Sequence, residues 1–175
     1  GIGKPLKTIS SCLELIIVVA DVMNCHCGIV EHCNILHRDI STANILARDT
    51  ADGIGGMLID FDMAVDVDRK GNAVRTERTG TYPFMSVGNL EGSLHNRTAL
   101  DDWESLLYIL CWLGTYGWNT ATSRTDIDDL EINDWSEGTP TKIARKKRHH
   151  LDSARHFAII PDEFNLDIPD IKYLQ

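Results

Sequence analysis

The sequence predicts a mainly α fold carrying one small β-hairpin. Three features point to it: a helix-periodic apolar segment near the start, two short apolar runs around an Asp- and Gly-rich turn, and an almost unbroken apolar segment over residues 102–113. At 175 residues, 43% hydrophobic and 25% charged, the chain has the size and make-up of a single domain over 1–175 with a real core.

Taken in order, Leu13, Ile16, Ile17, Ala20, Val22 and Met23 recur at steps of three to four residues, which predicts a helix over about residues 11–32. Ser10 or Ser11 caps its start, with Glu14 placed to complete a capping box. Residues 44–47 and 57–59 form two short apolar runs, and the polar stretch 49–56 between them makes them a small hairpin. From Asp62 to Thr81 no period survives and Gly71 and Gly80 punctuate the chain, so a long loop is expected, of the length that usually carries function. Residues 102–113 leave almost no polar face, and a helix apolar all round is buried. Beyond Thr115 only weak amphipathic patches show, around 142–158.

The net charge of -9 disfavours nucleic acid, whose recognition rests on clustered Lys and Arg. The one basic run, over 142–148, reads as a solvated face without a specific role. The longest apolar run near the start, 15–20, is short of a bilayer span and follows no signal-like segment, so no membrane association and an intracellular location, cytoplasm or nucleus, are expected. Five cysteines without secreted spacing agree with a reducing compartment. Cys25, His26, Cys27, His32, Cys33 and His37 cluster in sequence, but there is no C-x-x-C pair and positions 25 and 27 would point to nearly opposite helix faces, so zinc is not expected.

The informative segment is His37-Arg38-Asp39-Ile40-Ser41-Thr42-Ala43-Asn44, followed after the hairpin by Leu58-Ile59-Asp60-Phe61-Asp62. The order H-R-D-x-x-x-x-N, then a second Asp-Phe one hairpin later, is that of a protein-kinase catalytic loop and its metal-binding segment. Phosphoryl transfer requires an oriented hydroxyl and neutralised phosphate charge. Asp39 can accept the hydroxyl proton, while Asn44 and Asp60 offer the hard oxygens that Mg²⁺ prefers.

With these motifs the segment from His37 through Trp112 resembles the fungal-type protein kinase family, a divergent branch of the protein-kinase superfamily. The resemblance rests on HRDIS with Asn44-Ile45-Leu46, LIDFD, Arg78-Thr79-Gly80-Thr81 before Pro83-Phe84-Met85, and Asp102-Trp103-Glu104-Ser105. Weaker similarity runs from Gly3 to about Lys147. It implies a protein-kinase-like C-terminal lobe with the hairpin beside the catalytic loop, and ATP and Mg²⁺ as cofactors. It further implies Asp39 as catalytic base, Asn44 and Asp60 as nucleotide- and metal-binding residues, and Asp102 as a brace for the backbone of the loop that begins at His37. Arg38 would pair with a phosphorylated residue of the activation loop, and Thr81 favours Ser or Thr over Tyr substrates. Thr76, Thr79 and Thr81 beside Arg75 and Arg78 form a candidate phosphorylation switch.

Four departures from the general protein-kinase pattern accompany this resemblance, of which Ser41 and Asp62 are habits of the fungal-type family itself. Ser41 stands where many serine/threonine kinases carry a lysine that steadies the transferred phosphate, and loss of one such group can cost roughly 10²–10³ in rate. Asp62 replaces the glycine of D-F-G, and Gly88 replaces a glutamate that anchors the end of the activation segment, which predicts a looser substrate-docking platform. No Gly-rich loop with its strand lysine and helix glutamate precedes His37; Gly1-Ile2-Gly3-Lys4 has the wrong spacing, so the N-terminal lobe is expected to be missing. The expected function is transfer of the ATP γ-phosphate to protein Ser or Thr hydroxyls in a complete family member, this chain alone being inactive. The competing expectations are a pseudokinase acting as a protein-interaction module and a small-molecule phosphotransferase, which the segment 80–85 disfavours.

Overall fold

The computed structural model describes residues 3–67, 79–92, 97–118, 123 and 125–164. They form a mainly helical structure with two small antiparallel sheets.

Helix α1 spans Cys12–Cys33. The Ser11 hydroxyl accepts from the Glu14 amide at 3.2 Å, and Glu14 reaches back to the Ser10 amide at 2.8 Å, so the cap falls where the sequence places it. Asn34 ends the helix in the left-handed conformation, φ 54°. The stripe Leu15, Val18, Val19, Val22 and His26 is buried. Taken whole, α1 is long and apolar enough to cross a membrane, which the run 15–20 did not suggest. One side of it is nevertheless spent on packing within the fold, while Leu13, Ile16 and Met23 lie exposed.

Strands β1 (Lys4–Pro5), β3 (Ile45–Thr50) and β4 (Gly53–Leu58) make one sheet in the order β1-β3-β4. The second sheet pairs β2 (Ile35–Leu36) with β5 (Val65–Asp66). The hairpin is longer than its apolar runs, because Arg48, Asp49 and Thr50 pair with Gly55, Ile54 and Gly53 across a tight turn. Gly56 makes this possible: a Cβ there would lie 2.1 Å from the Val18 carbonyl oxygen of α1, so helix and strand meet backbone to backbone. The β2–β5 pair was not foreseen; it places part of the expected 62–81 loop in a sheet, and residues 68–78 lie outside the described ones. Lys4 is an exposed strand residue bound to Asp49 at 2.6 Å.

Helix α3 (Ala99–Tyr116) follows the short α2 (Val87–Glu91) and runs through the core, burying Leu106, Tyr108, Ile109 and Leu113, though Leu110 keeps 37% of its surface exposed. Helix α4 (Pro140–Leu151) and two short helices, α5 (Ala154–Phe157) and α6 (Ile159–Asp162), close the described chain. Here the sequence expectation is corrected. Lys147, in the basic run read as a solvated face, is fully buried, because its flanking positions Ile143, Ala144 and His150 turn the same side of α4 inward. Its neighbours do lie outside: Lys146 pairs with Asp134 and Arg148 with Glu91.

Candidate active site

The loop 37–44 hangs on one buried carboxylate. Asp102, in the first turn of α3, accepts the His37 amide on Oδ2 at 2.8 Å and the Arg38 amide on Oδ1 at 3.0 Å. His26 of α1 lies 2.8 Å from the same Oδ2. The Trp103 indole N–H, which can only donate, points at His26 Nδ1 at 3.1 Å, so the imidazole carries its proton on Nε2 and donates it to Asp102. A carboxylate 4% exposed thereby meets three donors, the condition under which a buried anion is tolerated.

His37 fixes the next link. Its Nδ1 accepts the Asp39 amide at 3.3 Å, its Nε2 donates to the Ile59 carbonyl at 2.9 Å, and Phe61 meets the ring edge-on at 4.7 Å between centroids. The backbone of the 37–44 loop and the strand end before Asp60 are therefore joined through one imidazole.

Asp39 is partly buried. Thr81 donates both its amide, at 3.1 Å, and its hydroxyl, at 3.2 Å, to Asp39 Oδ1. Asn44 donates its amide to the Asp39 carbonyl at 2.8 Å and to Oδ2 at 3.3 Å. The turn that returns Asn44 to Asp39 is closed by its amide on the carbonyl of Ser41, itself buried. Gly80, at φ 118°, lets Thr81 approach: a Cβ there would sit 3.2 Å from the Arg38 carbonyl.

Asp60 stands next to this group, since the Ile59 amide donates to the Asn44 carbonyl at 3.0 Å. It is exposed, and Asp62 serves it through its backbone, the Asp62 amide donating to Asp60 Oδ1 at 3.4 Å. Arg38 and Asp60 adopt φ 71° and 63°, left-handed values that cost a non-glycine residue roughly 1 kcal/mol and persist where surroundings enforce them. With the Asn44 amide nitrogen committed to Asp39, its side-chain oxygen and the exposed Asp60 carboxylate are left as hard oxygen donors of the type Mg²⁺ takes alongside phosphate oxygens. Among the described residues no group of three or more His, Cys, Asp or Glu is placed to hold a metal.

Thr79 is buried; its hydroxyl accepts from Arg97 Nη1 at 3.0 Å and its carbonyl from the Asn89 side chain at 2.9 Å. Arg97, which the sequence did not single out, also donates to the Asn89 side-chain oxygen. Burial and the neighbouring Arg38 guanidinium pull Arg97 down to about 10. Thr76, Arg75 and Arg78 lie outside the described residues.

The stretch after Thr81 is held by three side chains, two from α3 and one from α4, despite Gly88. The Ser86 hydroxyl donates to Asp101 at 2.6 Å, the Val87 amide donates to Glu104 at 2.8 Å, and Lys147 reaches the carbonyls of Tyr82, Pro83 and Met85. The looser platform inferred from Gly88 is thus countered by residues elsewhere in the chain. Two of the missed residues do carry a sequence signal: His26 is a polar residue on the buried stripe of α1, and Lys147 falls on the Ile143–Ala144–His150 side of α4. Arg97 carries none, as its partners are set by tertiary contact.

Compared with models of known families, residues 1–114 match the one described as fungal protein kinase, a stretch that includes the whole constellation from His26 to Asp102. No curated protein matches the chain.

Proposed function

The chain belongs to the fungal protein kinase family, and from that premise we propose that it forms a protein-kinase-like C-terminal lobe whose site transfers the ATP γ-phosphate to a protein Ser or Thr hydroxyl. The observation that carries this reading is the double hold on Asp39, by Thr81 on Oδ1 and by Asn44 on Oδ2, which aims one carboxylate as a general base. The substrate O–H would give its proton to Asp39 as its oxygen bonds to the γ-phosphorus. The bond from that phosphorus to the β-bridging oxygen breaks, and ADP leaves. Mg²⁺, held by Asn44 and Asp60, would neutralise phosphate charge.

A second reading stands beside the first: a non-catalytic, protein-binding module built on the same fold. It is favoured by Ser41, a buried neutral residue where a transfer-competent loop commonly has a cation.

Thermal unfolding with and without Mg²⁺-ATP decides the first step. Nucleotide at about 100 times its dissociation constant should stabilise the chain by about 2.7 kcal/mol. The shift should vanish in Asp60→Ala. Transfer of labelled phosphate to a protein acceptor, lost by roughly 10²–10⁴ in Asp39→Asn, would establish the reaction. A folded chain with no shift, or the same shift in Asp60→Ala, would favour the binding module.

A further inference from the structure

The amine of Lys147 lies 2.7 Å from the Met85 carbonyl, 2.8 Å from that of Pro83 and 3.4 Å from that of Tyr82. Its three hydrogens thus match three main-chain acceptors from one short segment. It sits 3.8 Å above the Tyr108 ring centroid and is fully buried. Lysines are almost never fully buried unless paired, and a methionine or leucine would fill the same slot without the desolvation cost. What the lysine adds is specific to the segment opposite it, whose Phe84 and Met85 are buried and whose carbonyls would otherwise lack a donor from α4.

That segment begins one residue after Thr81, the residue that holds Asp39 by amide and hydroxyl. A shift of its backbone would be felt at the Asp39 carboxylate. Ser86 and Val87 are tied to Asp101 and Glu104 of α3, but Tyr82, Pro83 and Met85 are tied to α4 through Lys147. Position 88 is glycine and offers no carboxylate for an anchoring ion pair.

We propose that Lys147 is a positioning residue: by gathering the carbonyls of Tyr82, Pro83 and Met85 it sets the segment on which a substrate peptide docks and, through Thr81, the aim of Asp39. Its role rests on the phosphotransfer reading above. Because Lys147 lies beyond residues 1–114, the anchor is supplied by chain outside the stretch that matches the family.

The test compares the 175-residue chain with Lys147→Met, which keeps the length and apolar stem, and with Lys146→Met as a surface control. Amide hydrogen exchange should speed up at least tenfold at Thr81, Phe84 and Met85 in Lys147→Met, with α1 and α3 unchanged and Lys146→Met like the parent. Unchanged exchange, or equal acceleration throughout, would overturn the proposal, the latter showing a residue that merely supports the core. Should Lys147→Met fail to fold, the parent chain labelled with ¹⁵N-lysine gives the answer: a solvent-protected amine signal with cross-peaks to residues 82–85 supports the anchor, and its absence overturns it. In a protein competent for transfer, Lys147→Met should raise KM for the peptide about tenfold with KM for ATP unchanged; a rise in both would count against positioning. If neither protein transfers phosphate, the catalytic reading fails, while the exchange result still decides whether Lys147 is the anchor.

Discussion

Thr81 donates twice to the same oxygen of Asp39, once through its amide and once through its hydroxyl. The amide bond belongs to any residue at this position, but the hydroxyl bond requires Ser or Thr. Position 81 therefore tests how tightly the carboxylate must be aimed.

Thr81→Val preserves shape and the amide bond while removing the hydroxyl. Because Thr81 is exposed, stability should change by less than about 1 kcal/mol. Phosphotransfer in a competent protein should fall about tenfold, the low end for a hydrogen bond to a charged group. Thr81→Ser should keep the parent rate. Equal rates for Val and Thr would mean that the amide alone aims Asp39.

Asp102→Asn would replace an acceptor of three donors by a group with one acceptor oxygen and an N–H₂. At least one of the buried His37, Arg38 and His26 donors would then face another donor. The expected cost is roughly 3 kcal/mol, read as a lowered urea midpoint with an unchanged slope. A midpoint within about 0.5 kcal/mol of the parent would show that the loop holds itself without this carboxylate.

Gly56→Ala tests the contact between helix and hairpin. The added methyl would have to occupy space 2.1 Å from the Val18 carbonyl oxygen and 3.1 Å from Asp21 Cβ, and neither backbone can step aside alone. A loss of about 3 kcal/mol in thermal unfolding is expected, at the upper end for overpacking. Gly53→Ala, where a Cβ meets nothing within 4 Å, is the comparison: its cost comes only from φ 125°. A smaller loss at Gly56 than at Gly53 would contradict the close approach.

What the sequence disclosed follows from how local each signal is. The Ser11 cap and a helical apolar period located α1, and an almost unbroken apolar stretch located α3, each to within a few residues, because these are short-range properties. The spacing of Asp39, Asn44 and Asp60 marked the loop, since five residues and one hairpin set which side chains can meet. The hairpin length was missed because Arg48, Asp49 and the glycines pair by backbone, without an apolar alternation to show it. β2 and β5 are two residues each and paired across about thirty positions, below what a period can reveal. Lys147 was overlooked differently: the charges around it suggested a solvated run, although its spacing from Ile143 and His150 puts it on the inward side of α4.

Lys147 also sets a pH dependence. Burial pushes its amine down to about 7, with Glu104 opposing from α3. The groups around it are the Tyr108 and Trp135 rings, the Glu104 carboxylate and the three carbonyls. In the unfolded chain a lysine keeps its proton to about pH 10.4. Between about pH 7 and about pH 10 the unfolded state therefore binds more protons, and stability rises with pH, by at most about 1.4 kcal/mol per pH unit. As pH falls through about 7 that contribution is lost, and below it the dependence on this group is flat. Urea unfolding of the parent and Lys147→Met across this range isolates the group, because every other titration is shared. The difference, parent minus variant, should climb from about pH 7 toward about pH 10. A difference constant across the range would mean that the three carbonyls and Glu104 hold the proton on as firmly as water does. The buried site would then be built for the ammonium throughout.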